Sequence, residues 1–392
     1  MIVSKKNLFL LIIFFLSLIL IFILTSNTIK NKLKLFKDDL IDKYHLHIFN
    51  NDHIKVGKNK YKLKKIKLPP AFDLFPVGYV EAKDDTVYLI SGIRNTFFYE
   101  VNKNIIFVEI PNNLNKYHNI KSKDNWIEAN VRDSLIIDND IYLTLNSCEK
   151  KNNKIYCKMI LVKSKLSKEK LIFEKIFETK KLLNNIDFTH SGGRITKYKE
   201  DKILIAIPEY GHPYESQNMN SYYGKIIEFN ILTREANLFS YGHRNPQGLY
   251  YDFTRNIILE SEHGPANGDE INLITKNANF GWPDYSYGGA QGIEKIIDKN
   301  HALNGASEPL KYFNSSIGPS QITKSLNNNE YVMASLRGNN GKKLFSFQIK
   351  KILNTIDDFQ YFYVGDRIRD ILNHKNKLYM IFENSRQLII VN

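Results

Sequence analysis

Residues 85–89 read DTVYL, a turn residue followed by an apolar–aromatic–apolar run, and this short unit recurs along the chain. The later copies are DIYL (140–143), DKILI (201–205), RNIIL (255–259), NEYVM (329–333) and NKLYM (376–380). Counted from Tyr88, their central positions lie 54, 62, 54, 74 and 47 residues apart. Repeats of about 40 to 50 residues, lengthened by loop insertions, are typical of a blade of four antiparallel strands.

Six such units predict an all-β protein, a six-bladed β-propeller over residues 71–392. The alternative, one or two β-sandwiches, does not require one unit to recur at this spacing. From about Phe72 onward, short runs rich in Val, Ile, Tyr and Phe are broken by Asn, Asp, Gly and Lys, which favours strands and turns over helices.

The charge of the chain is strongly positive, with a net charge of +14 and a pI near 9.3 over 392 residues. Such a balance invites a nucleic-acid partner. The lysines, however, are spread over the whole length beside abundant Asn and Ile, as on solvated faces. We therefore expect no nucleic-acid binding.

The N-terminus carries an apolar run from Leu8 to Leu24, interrupted only by Ser17. This length is the lower limit for spanning a bilayer, and no clear cleavage site follows it, so an uncleaved anchor is favoured over a removed signal peptide. The expected order is a cytoplasmic head (1–7), a transmembrane helix (8–25), a basic linker (26–70) and an exported propeller. In an exported protein, Cys148 and Cys157 either form a disulfide across a hairpin or are two unrelated small apolar residues.

Residues of several chemistries crowd into the stretch from Gly242 to Tyr287 and into turns beside the other repeats. His190, in a glycine-flanked turn, has the ordinary chemistry of a general base. Distributed arginines suggest a polyanionic ligand, because their forks match carboxylates; these are Arg244, Arg337, Arg367 and Arg369. Carbonyl-rich turns near Asp269 and Glu270 suggest a hard cation such as Ca²⁺. Each signal alone is compatible with a purely structural role.

Longer motifs resemble one family. GHRNPQGL (242–249), SEHGPANGDEINLI (261–274), NFGWPDYSYG (279–288) and GDRIRD (365–370) together are similar to the glucose/sorbosone dehydrogenases, soluble aldose dehydrogenases that depend on pyrroloquinoline quinone (PQQ). HSGGR (190–194) and YYGKIIEFN (222–230) resemble two further motifs of that family. The resemblance covers roughly residues 125–392 and is weak before them.

The resemblance implies a role for each matched residue. His190 would remove the proton of the sugar's anomeric hydroxyl while hydride passes to the quinone. The implied cofactor contacts are Arg244, Asn245, Gln247, Ser320, Arg337, Arg367 and Arg369. The carbonyls of Gly264 and Pro265 would hold the Ca²⁺ that orients PQQ, while Asp269 and Glu270 would support that loop or bind a second, structural Ca²⁺.

The same resemblance implies partners and a location. The substrate would be an aldose or related sugar, oxidised to its lactone, and electrons would pass to a respiratory acceptor, a cytochrome or a quinone. With the anchor, the expected location is the bacterial inner membrane, with the catalytic domain facing the periplasm.

Two departures from the family pattern keep alternatives open. Arg337 stands where the family commonly has a lysine, and residues 128–133 read EANVRD in place of a glutamine-bearing glycine turn. A charged loop there is compatible with a propeller that binds ligands without PQQ. A Ca²⁺-dependent lactonase that uses His190 to activate water is a third hypothesis.

Overall fold

A computed structural model of the protein describes residues 52–73, 77–101, 106–117, 131–152, 154–180, 183–184, 186–289, 299–327, 329–336, 341–350 and 355–392. In chain order its strands are β1 (His53–Val56), β2 (Asn59–Lys67), β3 (Gly78–Lys83), β4 (Thr86–Ser91), β5 (Phe97–Val101), β6 (Ile106–Ile110), β7 (Val131–Ile137), β8 (Asp140–Lys151), β9 (Lys154–Lys165), β10 (Glu174–Glu178), β11 (Leu183–Asn184), β12 (Ile195–Lys199), β13 (Lys202–Ile207), β14 (Lys225–Asn230), β15 (Ala236–Tyr241), β16 (Pro246–Asp252), β17 (Ile257–Glu262), β18 (Asp269–Ile274), β19 (Lys311–Phe313), β20 (Pro319–Lys324), β21 (Glu330–Ser335), β22 (Lys343–Lys350), β23 (Thr355–Tyr363), β24 (Ile368–His374), β25 (Lys377–Phe382) and β26 (Gln387–Val391). The described helices are short 3-10 turns at Pro70–Phe72, Leu114–Tyr117, Pro213–Ser216 and Ala302–Asn304.

The strands form six antiparallel sheets, each of which is one blade. Blades 1 to 5 each use four strands consecutive in sequence: β3–β6, β7–β10, β12–β15, β16–β19 and β20–β23, and β11 adds to β9 in blade 2. Blade 6 has the order β1-β2-β26-β25-β24 and so combines both ends of the described chain.

The blades are arranged in a closed ring. The first strand of each blade packs against the first strand of the next, from β3 through β7, β12, β16 and β20 to β24, and β24 packs against β3. Apolar clusters fill the spaces between neighbouring blades; one joins Leu259 of blade 4 to Met333 and Phe345 of blade 5. The predicted all-β, six-bladed propeller is confirmed.

The repeated sequence unit corresponds to the second strand of every blade, namely β4, β8, β13, β17, β21 and β25. These strands are almost completely buried, and in β13 and β25 the buried side chains are apolar on both faces, so the strands stand out in the sequence. A tight turn precedes them, and in it residues such as Asp84 (φ 52°) and Asn256 (φ 51°) adopt the left-handed conformation that Asn and Asp tolerate.

The boundary expected at residue 70 differs in the structure. Residues 53–67, which the sequence assigned to the basic linker, form β1 and β2, and β2 pairs with β26 from Leu63↔Val391 to Lys67↔Gln387. β2, NKYKLKKIK, is an outer strand, and most of its lysines occupy its more exposed positions. Its sequence is therefore too polar to be recognised as a strand. The predicted transmembrane helix (8–25) lies outside the described residues, among which no helix is long and apolar enough to cross a membrane.

Cys148 and Cys157 lie opposite each other on β8 and β9 and form a disulfide. Both are buried at the far end of the longest hairpin of blade 2. Of the two hypotheses left open by the sequence, the structure shows the bridged pair.

Candidate active site

Two adjoining cavities open at the end of the channel where the inner strands begin. The mouth cavity is lined by residues at or next to the start of five inner strands, Val77, Arg132, Arg194, Gln247 and Arg367. The second, the His190 cavity, has a volume of about 210 Å³ and reaches Gly318, just before the remaining inner strand β20. Because both cavities are lined by Thr189 and His263, they adjoin, and together they touch the beginning of every inner strand.

His190 lies in the turn between β11 and β12, where its backbone N–H donates to the carbonyl of Asp187 at 2.9 Å. Its ring is held between two side chains. Nδ1 is 2.8 Å from Oε1 of Glu209, and Nε2 is 2.7 Å from Nη2 of Arg244. The His190 side chain is only 16% exposed, whereas that of Glu209 is buried.

These contacts determine the protonation of the imidazole. A guanidinium has donors only, so Nε2 of His190 must accept from Arg244. Nδ1 therefore carries the proton and donates to Glu209. Nε2 is the acceptor nitrogen of the ring, and it lies beside Arg244 and 3.7 Å from Oδ2 of Asp187 in the same cavity. An oriented imidazole with one acceptor nitrogen is the arrangement that a general base requires.

Arg244 is fixed on several sides. Its Nη1 donates to the carbonyls of His263 at 3.0 Å and Gly264 at 2.9 Å, and the guanidinium lies 5.3 Å from the ring centre of Trp282. Burial lowers the pKa of Arg244, and the nearby charge of Glu209 opposes that effect. Arg244 thus joins the base to the carbonyl-rich turn at residue 264.

Asp269 holds that turn in place. One carboxylate oxygen accepts from the N–H of Gly264 at 3.0 Å, and the other accepts from the N–H groups of residues 317–318 at 2.7 and 2.8 Å. A Cβ at Gly264 would lie 2.0 Å from the carbonyl oxygen of Gly268, so only glycine fits. The turn presents Gly264 and Pro265 to the His190 cavity.

The mouth cavity has more positive than negative side chains. Arg132, Arg367 and Arg369 all line it. Glu383, just after β25, is buried and forms ion pairs through one oxygen with Arg367 and through the other with Arg369. Arg132 forms no ion pair with a carboxylate of the described part of the chain. Three arginines that line one cavity, two of which share Glu383, make a site suited to an anion with several carboxylates.

Sequence comparison agrees with this geometry. The family profile described as Glucose / Sorbosone dehydrogenase matches residues 130–391, about two thirds of the chain. The chain belongs to the glucose/sorbosone dehydrogenase family.

Individual relatives match over shorter segments. The chain is 31% identical over 141 residues to the aldose sugar dehydrogenase YliI of Escherichia coli (strain K12), covering 32% of this chain and 38% of the relative. It is 32% identical over 156 residues to quinoprotein glucose dehydrogenase B of Acinetobacter calcoaceticus, covering 30% and 32%. The aligned segments thus span about a third of each relative.

A solved structure shows the same fold over a larger region. The PQQ-bound form of an aldose sugar dehydrogenase from Streptomyces coelicolor superimposes with a TM-score of 0.61 and 20% identity, covering 84% of this chain and 98% of that chain.

The structure brings most of the sequence-derived candidates of this family member to one place. Those that line the His190 cavity are His190, Arg244, Gly264, Pro265 and Asp269, and those that line the mouth cavity are Gln247, Arg367 and Arg369.

Three candidates lie away from both cavities. Asn245 is fully buried and holds the turn of His190, accepting from the N–H of Gly192 at 3.1 Å. The hydroxyl of Ser320 donates to the carbonyl of Ile368 at 2.6 Å, between two inner strands. Glu270 is buried inside blade 4, and Arg337 lies outside the described residues.

Sequence reasoning missed three residues of the site, Glu209, Arg132 and Glu383. Glu209 and Glu383 each follow the second strand of a blade by one or two residues, which returns the chain to the channel end where the inner strands begin. A rule that examined both flanks of every repeat would have found them. Arg132 lies within the departure at 128–133, which therefore adds a cation to the mouth.

The side chains present fit a PQQ and Ca²⁺ pair. The mouth offers three arginines to a polycarboxylate, and the buried Nε of Arg244 has no partner among the described residues. The carbonyls of Gly264 and Pro265 are neutral oxygen donors of the kind that Ca²⁺ prefers.

Proposed function

We propose that the chain is a sugar dehydrogenase that oxidises an aldose or related sugar to its lactone with PQQ and Ca²⁺. The observation that carries the proposal is the oriented His190 in a cavity that adjoins the arginine-lined mouth, the two cavities sharing Thr189 and His263. PQQ, when bound, would supply the two-electron acceptor, and Ca²⁺ would supply Lewis acidity.

His190 would act as the general base. Its Nε2 would take the proton of the anomeric hydroxyl as the hydrogen on that carbon leaves with its electron pair, and the lactone carbonyl would form. Glu209 would orient the ring and stabilise the positive charge that the ring gains, because it accepts from Nδ1 at 2.8 Å. Arg244 donates to Nε2 in the described geometry, so it must give up that hydrogen bond for the base to act.

The remaining residues would hold the cofactor. Arg367 and Arg369 keep donors beyond those that meet Glu383, and with Arg132 they would bind its carboxylates. The carbonyls of Gly264 and Pro265 would hold Ca²⁺, in a turn that Asp269 keeps fixed. Arg244 donates to the carbonyl of Gly264 at 2.9 Å, so it must release that oxygen when Ca²⁺ binds. Gln247 would contact the cofactor from the mouth cavity.

The partners and location follow as part of the same proposal. Electrons would leave to a respiratory cytochrome or quinone, and the segment 8–25 would anchor the protein in the inner membrane with the propeller in the periplasm.

Reconstitution tests the proposal. Purified protein is incubated with micromolar PQQ and Ca²⁺, and dye reduction is followed with a panel of aldoses. We expect sugar-dependent reduction that requires both additions. Failure to bind PQQ at this concentration overturns the proposal, and metal-dependent lactone hydrolysis without PQQ would support a lactonase instead.

A further inference from the structure

Blade 4 contains a cluster of acidic side chains that the proposed reaction does not use. Glu260 and Glu262 lie on β17, and Glu270 faces them from β18; all three are buried. The side-chain amide nitrogen of Asn272 donates to each of them, at 3.0, 3.3 and 3.4 Å respectively. One amide is therefore shared by three buried carboxylates.

The imidazole of His243 completes the cluster. The ring is fully buried and stacks on Phe280 with ring centres 4.7 Å apart. Its Nε2 is 2.8 Å from the hydroxyl of Ser240, whereas Nδ1 has no hydrogen-bond partner and lies 3.7 Å from Oε1 of Glu262. A buried imidazole nitrogen thus points at a carboxylate without bonding to it.

Other atoms of the cluster are also unsatisfied. Oε1 of Glu260 and the amide oxygen of Asn272 are buried without a hydrogen-bond partner. Within the described ranges, no lysine or arginine forms an ion pair with Glu260, Glu262 or Glu270. Buried charge of this kind is costly unless it is paired or coordinates a metal ion.

We propose that His243, Glu260 and Glu262 form a binding site for a divalent transition-metal cation such as Zn²⁺ or Mn²⁺. One ligand atom from each residue can be chosen so that all lie within 4.8 Å of one another. The 3.7 Å between Nδ1 and Oε1 is near the separation of about 3.4 Å expected for neighbouring ligands in a tetrahedral site with bonds of about 2.1 Å. Imidazole with carboxylates favours first-row transition metals, whereas Ca²⁺ prefers an all-oxygen set.

The surroundings fit that assignment. For Nδ1 of His243 to bind a metal, Nε2 must carry the ring proton, and the hydroxyl of Ser240 is placed to accept it. Two carboxylates balance the charge of a divalent ion. The site is also connected to the His190 cavity, because the second oxygen of Glu262 accepts from the backbone N–H groups of Arg244 at 2.8 Å and Asn245 at 3.3 Å. A bound ion would stabilise the turn that positions Arg244.

Metal binding is measured on the full-length protein without PQQ, so the outcome is independent of the proposed sugar oxidation. Protein stripped with EDTA is titrated with Zn²⁺, and bound metal is counted by mass spectrometry. We expect about one Zn²⁺ per chain, not displaced by excess Ca²⁺, and an affinity at least roughly tenfold weaker in Glu260→Gln and His243→Gln. Glu228→Gln, at a buried glutamate of blade 3, is the matched control and should leave Zn²⁺ affinity unchanged.

Two results would overturn the proposal. One is wild-type protein that binds no Zn²⁺ or Mn²⁺, in which case the carboxylates are held neutral by protons. The other is Zn²⁺ binding unaffected by Glu260→Gln. If the variants do not fold, pulsed electron paramagnetic resonance of Mn²⁺-loaded wild-type protein replaces them: a nitrogen coupling supports the imidazole ligand, and its absence contradicts it.

Discussion

The mouth of the channel and the channel interior next to it differ in charge, although neighbouring residues of the same strands line both. The mouth is rich in arginines, and the interior contains buried aspartates. At the mouth, Arg132, Arg367 and Arg369 line one cavity, and Glu383 forms ion pairs with the latter two. Next to Arg132 on β7 is Asp133, and next to Arg369 on β24 is Asp370; both aspartates are buried. Arg132 and Arg369 each stand at a β-bulge, where the strand register shifts, so on these two inner strands a cation and an anion lie side by side.

In the interior, one guanidinium lies between two buried carboxylates. Nη1 of Arg194 donates to Asp133 at 3.0 Å and to Asp370 at 2.8 Å, and its other nitrogens donate to the carbonyls of Gln247 and Arg369. Every described contact of this buried guanidinium is with another part of the ring. The mouth, by contrast, keeps surplus donors. We infer that the contacts of the interior hold the blades together and that the arginines of the mouth bind an anion from solution.

The largest expected effect lies on the functional side of this comparison. In reconstituted protein, His190→Ala should lower kcat by about 10²- to 10⁴-fold, because the proton of the substrate loses its acceptor. The free energy of unfolding should fall by about 1–3 kcal/mol, because Oε1 of the buried Glu209 loses its hydrogen-bond partner. Dye-reduction kinetics and urea denaturation measure the two quantities. A variant that keeps a tenth of wild-type activity would show that His190 is not the base.

The interior should show the reverse pattern. Arg194→Met leaves Asp133 and Asp370 buried without their cation, which should lower the free energy of unfolding by about 3–5 kcal/mol. Urea denaturation gives this value, with Arg132→Met at the mouth as the matched control, because Arg132 forms no ion pair with a carboxylate of the described part of the chain. A loss below about 1 kcal/mol would mean that the brace between blades is unimportant.

Anion affinity should depend on the mouth alone. Arg369→Gln and Arg132→Gln should each weaken PQQ binding by about 10- to 100-fold, the value of a hydrogen bond to a charged group. Calorimetry with PQQ measures the dissociation constant. An unchanged constant in both variants would show that the ligand does not use this cavity.

The two regions should also differ in their response to pH. Burial raises the pKa of Asp133 to about 7, with Arg194 opposing the shift and Asp370 adding to it. Its folded-state pKa is above its unfolded value, so the folded state binds the extra proton, and stability falls as pH rises from about 4 to about 7. Asp133→Asn should remove that slope from a series of thermal melts.

Glu383 should give the opposite slope. Burial opposes its ionisation, but the charges of Arg369 and Arg367 outweigh burial and lower its pKa. Its contribution to stability is present above the unfolded pKa, about 4.3, and is lost as pH falls through the lower folded value. Glu383→Gln should flatten only the acid limb. Identical pH profiles for this variant and Asp133→Asn would contradict the comparison.

The elements that can be predicted from the sequence are those whose burial produces a repeated apolar pattern. The second strand of each blade is buried on both faces, so its apolar run repeats and reveals the propeller. β1 and β2 escape detection, because an outer strand carries lysines on its exposed positions. His190 and Arg244 are found through motifs, whereas Glu209 is one acid in the long loop between β13 and β14. Glu209 has a role only because the fold brings its carboxylate within 2.8 Å of the imidazole of His190.

Charge networks are hidden for the same reason. Arg194 is 61 residues from Asp133 and 176 residues from Asp370 in sequence, and no local pattern pairs them. Ser320 illustrates the converse error, since a residue beside a repeated strand can face a neighbouring strand instead of the channel.

The pairing of β2 with β26 has a consequence for how the protein is made. Blade 6 needs strands from both ends of the propeller, so residues 59–67 are synthesised early but find their partner only when residues 387–391 have left the ribosome. Until then the ring of blades is open, and the faces of blades 1 and 5 that contact blade 6 are uncovered. About 320 residues separate β2 from its partner β26 in sequence. A chain shortened by its last few residues would lose β26 and also the pairing partner of β2, so the ring of blades could not close.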